Sequence, residues 1–191
     1  MKTEPNKFIA TQEQITEWKK LHGGGSILTV EDGRICYIFS PLSSILVMKQ
    51  AFTAIQESEV DFVSSILKNC WLGGDESIKE DEGCLNDLVD QTKKLIEWPE
   101  AAIEFENELP VLVCNGERLK VRKPSRTDIQ TAERKNAKKA PFETNIQLLQ
   151  LISVDDLEFE RIRKYQTKEF FGMLSEVEGL KKKTTTLISK F

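Results

Sequence analysis

The chain has 191 residues, 39% of them apolar and 30% charged, which suits a soluble globular protein of one domain or two small ones. The first residues are polar, and no apolar run approaches the ~20 residues of a membrane span, so neither secretion nor membrane insertion is expected. The formal net charge of −4 divides unevenly, with −8 over residues 1–105 and +4 over residues 106–191, which indicates two units of opposite sign.

A first helix is predicted from Thr11. The sequence Thr-Gln-Glu-Gln is close to a capping box, and Ile15, Trp18 and Leu21 follow at helical spacing. The glycines after His22 end this helix, because glycine readily adopts the positive φ of a helix C-terminus.

The run His-Gly-Gly-Gly at residues 22–25 is also typical of the oxyanion loop of lipases and esterases. That chemistry needs a Gly-x-Ser-x-Gly nucleophile turn and a histidine base. The chain has no such turn, and His22 is its one histidine, so the sequence does not favour a hydrolase.

A β-hairpin and several helices follow. Asp32-Gly33 is predicted to turn between strands at 26–30 and 35–39, and Pro41 after Ser40 is predicted to begin a helix. Apolar residues at helical spacing then predict helices over 45–55, 60–71 and 85–96.

The same order recurs further along the chain. Strands are predicted at 109–114 and 118–122 around Asn115-Gly116, followed by Pro124 and by helical patterns at 129–137, 142–152, 157–165 and 170–177. Gly33 and Gly116 lie 83 residues apart, and so do the two prolines. We therefore predict an internal duplication in an α+β, mainly helical fold. Each unit, 1–105 and 106–191, has a β-hairpin followed by a small helical bundle.

The first half resembles the phage tail assembly chaperones over about residues 8–100. The resemblance depends on Gln-Ile-Thr-Glu-Trp-Lys-Lys at 14–20 and on Ile-Leu-Lys-Asn-Cys-Trp-Leu-Gly-Gly-Asp-Glu at 66–76, and it is most specific between Ser65 and Ile78. The second half resembles related tail and baseplate chaperones more loosely, through Leu-Pro-Val-Leu-Val at 109–113 and Val-Arg-Lys-Pro at 121–124.

The resemblance implies a small, mainly helical, non-enzymatic protein of the host cytoplasm without cofactors. Members of this family hold the tape-measure protein soluble while tail-tube subunits assemble, so the implied partners are tape-measure or tail-tube proteins, and self-association is a further option. One alternative is a structural or packaged virion protein. A weaker one is a nucleic-acid-binding module that uses the basic segment 118–139, which lacks aromatic residues to stack on bases.

No metal or catalytic site is expected. The four cysteines, Cys36, Cys70, Cys84 and Cys114, are too widely spaced for a zinc site, and we interpret them as reduced buried thiols. The carboxylates at residues 75–82 lack calcium-loop spacing and are predicted to form a mobile acidic loop.

Partner binding needs exposed apolar surface. The candidates share a large apolar side chain. They are Trp18, Trp71, Trp98, Phe170 and Phe171, together with Leu187, Ile188 and Phe191 in the basic C-terminal segment. Adjacent Phe170 and Phe171 cannot both face one narrow seam of a helix, so partial exposure is expected there. Gly179 is predicted to end the last helix.

Overall fold

The computed structural model of the chain describes residues 8–136 and 141–185. The chain forms two compact units that divide between Glu97 and Trp98. Each unit contains a three-stranded antiparallel sheet and several helices, so the predicted α+β, mainly helical class with two similar units is confirmed. The division falls before the predicted boundary at residue 105, because a strand at Ala102–Glu106 pairs with the sheet of unit 2.

Unit 1 begins with a helix and is otherwise a hairpin, a helical pair, a return strand and two short helices. Its elements are α1 Gln12–His22, β1 Gly25–Thr29, β2 Ile35–Phe39, α2 Ile45–Ala54, α3 Glu59–Cys70, β3 Trp71–Gly74, α4 Glu82–Asp87 and α5 Val89–Leu95, with 3₁₀ turns at Pro41–Ser43 and Glu76–Lys79.

The two faces of the unit 1 sheet, whose strand order is β1-β2-β3, meet different helices. Side chains alternate between faces along a strand. Leu28, Cys36 and Ile38 point into the main core, where they join buried residues of α3 such as Ile66 and Leu67. Tyr37 points to the opposite face, where the Trp18 ring of α1 lies 5.4 Å from the Tyr37 ring. α1 therefore covers the face of the sheet that α3 does not.

Unit 2 begins with a strand instead of a helix. Its elements are β4 Ala102–Glu106, β5 Leu109–Cys114, β6 Glu117–Lys120, α6 Arg126–Lys135, α7 Pro141–Ile152, α8 Asp156–Tyr165, α9 Thr167–Ser175 and α10 Val177–Thr185. The sheet order is β4-β5-β6. Leu112 and Leu119 are fully buried in its core, together with Leu148 and Leu149 of α7.

The two units share a longer repeat than the sequence predicted. After α3, β3 returns to pair with β2; after α7, Ser153 forms an antiparallel bridge with Val121, and the Val154 N–H donates to the Lys120 carbonyl at 3.0 Å. Hairpin, proline, two helices and return strand therefore occur in this order in both units. The buried hairpin residues correspond in pairs: Leu28 with Leu112, Val30 with Cys114, Cys36 with Leu119 and Ile38 with Val121.

The same position in both repeats anchors the segment after the return strand, with the charges reversed. Arg34 follows the first turn and pairs with Asp81, the N-cap of α4, at 3.0 Å. Glu117 follows the second turn and pairs with Arg161 on α8. Matched positions of the two units therefore carry ion pairs of opposite polarity.

Pro41 begins a helix after Ser40 as predicted, but this helix is a separate 3₁₀ turn, Pro41–Ser43, and α2 begins at Ile45 with Ser44 as its N-cap. Two other local predictions are wrong. Gly179 lies inside α10 and does not end a helix. The acidic segment 75–82 is not a loop without structure, since Asp75 and Asp81 cap the elements that follow them.

Candidate functional site

An apolar groove lies between α1 and the sheet of unit 1. Its volume is about 200 Å³. It is lined by Ile15, Trp18, Lys19, Gly25, Ser26, Ile27, Tyr37 and Leu72. This volume is below the roughly 300–1,000 Å³ of typical small-molecule sites, so the groove suits one side chain of a partner better than a cofactor.

The groove exists because α1 packs loosely on the sheet. α1 has a capping box at Thr11 and an αL C-cap at Gly23, as predicted, but none of its residues is fully buried. Its attachment depends on Trp18 against Tyr37 and on the His22 ring, which stacks on Phe39 at 4.6 Å. A short helix with so few buried contacts belongs to the least stable part of a domain.

Exposed apolar side chains extend this surface. Ile27 of β1 is 59% exposed and lies opposite Tyr37 in the strand register, and Leu21 of α1 is 66% exposed. Lys19 lines the groove, and none of the described carboxylates forms an ion pair with it. The surface is therefore apolar with a cation at its rim, a composition that fits an apolar partner segment carrying an acidic residue.

Trp71, a second predicted partner-binding residue of unit 1 besides Trp18, is half-buried in β3. It packs against the main core, and the Lys79 Nζ lies 4.1 Å from the centre of its ring. Its neighbour Leu72 points to the opposite face and lines the groove. Of the candidate tryptophans Trp18 and Trp71, Trp18 lines the groove, and in β3 it is Leu72 rather than Trp71 that does so.

Partial exposure of Phe170 and Phe171 is a wrong prediction. Phe170 is 0% and Phe171 1% exposed. The Phe170 ring lies 5.7 Å from that of Phe159, and the Phe171 ring lies 5.6 Å from that of Phe142. The two rings point about 100° apart, as expected on a helix, but unit 2 has core partners on both sides of α9. In this conformation neither residue can contact a partner.

The remaining predicted residues, Leu187, Ile188 and Phe191, lie outside the described residues. Trp98 is half-buried in unit 2, where its ring lies 6.1 Å from that of Phe171.

All four cysteines are free and buried, as predicted. Burial raises the pKa of Cys36 and of Cys70 to about 12. Burial, and then a hydrogen bond with Asp81, raises the pKa of Cys84 to about 11. Because the thiolate is the nucleophile and the metal ligand, burial and the raised pKa values disfavour reaction or metal binding by these thiols at neutral pH. Within the described ranges, no cluster of three or more His, Cys, Asp or Glu side chains could hold a metal ion.

The acidic segment after β3 is held by Arg34. The Arg34 guanidinium donates to the Ser77 hydroxyl at 2.7 Å and to an Asp81 carboxylate oxygen at 3.0 Å. The hydrogen bond from Arg34 is the main reason that the pKa of Asp81 is lowered from its ordinary 3.8 to about 2, and hydrogen bonds from Cys84 contribute less. The cluster therefore has a structural role: it fixes α4 against the hairpin turn.

The basic segment 118–139 is partly neutralised within unit 2. Arg118 pairs with Glu104 at 2.9 Å, Lys120 with Glu106 at 3.4 Å and Arg122 with Asp128 at 2.6 Å. These three cations are engaged in the fold, so fewer charges are available to phosphates than the sequence suggested. Residues 137–139 lie outside the described part of the chain.

No known protein family, curated protein or solved structure matches the chain. In the part of the chain that the structure describes, none of the helices has the length and apolar character of a membrane span.

Proposed function

We propose that this chain is a non-enzymatic tail-assembly chaperone of a phage, which binds a tape-measure or tail-tube protein in the host cytoplasm. The binding site in this proposal is the apolar groove of unit 1. The observation that carries it is the origin of the lining residues: Ile15, Trp18 and Lys19 come from one stretch that resembles tail chaperones, and Leu72 comes from the other.

The chemistry of the groove supports binding rather than catalysis. Ile27, Leu72 and Tyr37 supply apolar surface, and the lining has no nucleophile paired with a base. His22 stacks on Phe39, and the thiols are buried. An apolar groove that receives a side chain of an amphipathic segment is a common mode of peptide recognition.

The test is co-expression with the tape-measure protein encoded by the same phage, with the soluble fraction of that protein as the readout. The groove variant is Ile27→Glu, which places a charge in the apolar groove. The matched control is Leu46→Glu, because Leu46 of α2 is also exposed in unit 1, at 63%. We expect Ile27→Glu to abolish solubilisation and Leu46→Glu to retain it. Equal activity of both variants would contradict the groove as the site.

Mass spectrometry of purified virions separates the chaperone from the structural alternative. A chaperone leaves the assembled tail, so we expect the chain to be absent from virions. A fixed copy number per virion would instead support a structural or packaged protein.

A further inference from the structure

The outer edge of β1 has open hydrogen-bonding positions beside the groove. In an antiparallel pair, alternate residues direct their backbone groups to one neighbour and the residues between them direct theirs away. Val30 bonds inward, since its N–H donates to the Arg34 carbonyl at 2.9 Å. Thr29, Ile27 and Gly25 therefore direct their N–H and C=O groups away from β2. Within the described residues, those of Ile27 and Gly25 have no hydrogen-bond partner.

A side chain occupies the third outward position and imitates a strand. The Thr29 N–H donates to Gln91 Oε1 at 3.1 Å, and Gln91 Nε2 donates to the Thr29 carbonyl at 2.7 Å. This is the two-bond exchange that a residue of a neighbouring antiparallel strand makes. Gln91 thus closes one end of the edge, and the open positions are confined to the part beside the groove.

The duplicated unit shows what occupies the equivalent edge. β5 corresponds to β1, and its outer edge pairs with β4 over five positions, from Ala102 opposite Val113 to Glu106 opposite Leu109. From Ile103 to Glu106 the sequence of β4, Ile-Glu-Phe-Glu, alternates apolar and acidic residues. The same hairpin edge is therefore already used for an added antiparallel strand in unit 2.

The charges indicate the chemistry of the occupant in unit 1. In unit 2, Glu104 and Glu106 of the added strand meet Arg118 and Lys120 of β6. The residues of β2 that correspond to these two cations are Ile35 and Tyr37, and a cation at the groove on this face of unit 1 is Lys19. An occupant of β1 thus needs an apolar side chain for the groove and an acidic one for Lys19.

We propose that Gly25–Ile27 binds an extended segment of the partner protein as an added antiparallel strand, with an apolar side chain in the groove and an acidic side chain at Lys19. This inference rests on the proposed function and deepens it by naming the kind of segment that is bound. Strand addition takes affinity from backbone hydrogen bonds and specificity from pockets for alternate side chains.

The test uses a fluorescent peptide with the β4 sequence, residues 100–107, and the full chain, with anisotropy as the readout. The variant Ile27→Pro removes an outward N–H and leaves every β1–β2 hydrogen bond in place, and proline is tolerated at such edge positions. The matched control Ile27→Val keeps the N–H. We expect Ile27→Pro to weaken binding about tenfold and Ile27→Val to change it less than about threefold, since one net hydrogen bond accounts for roughly a tenfold change.

A second variant at the same edge is expected to strengthen peptide binding instead of weakening it. Gln91→Ala opens the outward position at Thr29, so we expect the peptide to bind about threefold to tenfold more tightly. Near-ultraviolet circular dichroism confirms that each variant is folded. Equal binding by Ile27→Pro and the wild type, or no binding of the peptide to the wild type at millimolar concentration, would overturn the proposal.

Two further outcomes separate this inference from its alternatives. If the wild-type chain forms dimers that Ile27→Pro abolishes, the occupant is a second copy, and the proposal of a partner segment is wrong. If the peptide does not bind but the tape-measure protein stays soluble with the wild type and not with Ile27→Glu, the proposed function stands and only the strand addition fails.

Discussion

Adding one methyl group at Gly172 tests the packing of unit 2 directly. Gly172 lies buried within α9, where α9 packs on β5. A Cβ at this position would overlap the Pro99 carbonyl oxygen and would lie 2.8 Å from Cys114 Sγ. Both contacts are shorter than van der Waals distance, and one involves backbone, so the helix itself must move. Overpacking of this kind costs about 1–3 kcal/mol, which outweighs the roughly 0.5–1 kcal/mol by which alanine favours a helix over glycine.

The matched control is Gly179→Ala in α10 of the same unit. There a Cβ meets its nearest atoms, in Glu176 and Ile103, at an ordinary 3.5 Å. We expect Gly172→Ala to lower the free energy of unfolding by about 1–2 kcal/mol, or the Tm by roughly 5–15 °C, and Gly179→Ala to raise stability slightly. Urea and thermal unfolding followed by circular dichroism measure both changes. A Gly172→Ala protein as stable as the wild type would refute the close approach of α9 to Pro99.

Three further predictions concern the core, the ion-pair cluster and α1. Phe170→Ala is expected to lower the free energy of unfolding by about 3–5 kcal/mol, measured by urea unfolding. Tyr165→Ala, whose side chain is 68% exposed, is expected to lower it by less than about 0.5 kcal/mol. Similar losses in the two variants would contradict the burial of Phe170. Arg34→Met is expected to raise the pKa of Asp81 from about 2 toward 3.8 in a carboxyl NMR titration. The lowered pKa of Asp81 stabilises the fold above pH 3.8, and this contribution is lost as the pH falls through about 2. If the pKa of Asp81 in Arg34→Met stays at about 2, Arg34 is not its cause. Amides of α1 are expected to exchange with solvent much faster than those of α3, and equal protection would refute its loose packing.

Much of the fold was predictable because local signals agree with one another. Asp32-Gly33 and Asn115-Gly116 specify hairpin turns, and both turns form where predicted. The 83-residue spacing of these glycines and of Pro41 and Pro124 predicted the repeat. The apolar patterns of α3 and α7 predicted helices because each has a buried stripe at helical spacing.

The missed strands depend on pairing rather than on their own residues. β3 contains Gly73 and Gly74, which predict a turn, and it is a strand because it pairs with β2. β4 carries two glutamates, which form ion pairs across the sheet with Arg118 and Lys120. The residue pattern of a five-residue segment cannot predict pairing with strands that lie far away in the sequence.

The candidate site was predicted only in part. Trp18 and the 66–76 stretch were identified, but the groove itself depends on how α1 lies on the sheet. Ile27 carries no sequence signal, because an isoleucine in a predicted strand is usually core. The exposure of Phe170 and Phe171 was wrongly predicted for a related reason. Helical geometry shows that adjacent rings point in different directions, but it does not show whether core residues pack on both sides of the helix.

The most direct test of the proposed binding site is NMR mapping of the full 21.8 kDa chain with soluble fragments of a phage tape-measure protein, the proposed partner. We predict chemical-shift changes in the indole of Trp18 and the methyl groups of Ile15, Ile27 and Leu72, and none in the rings of Phe170 and Phe171. Changes confined to unit 2, or a fragment that binds without perturbing these groove residues, would contradict the account.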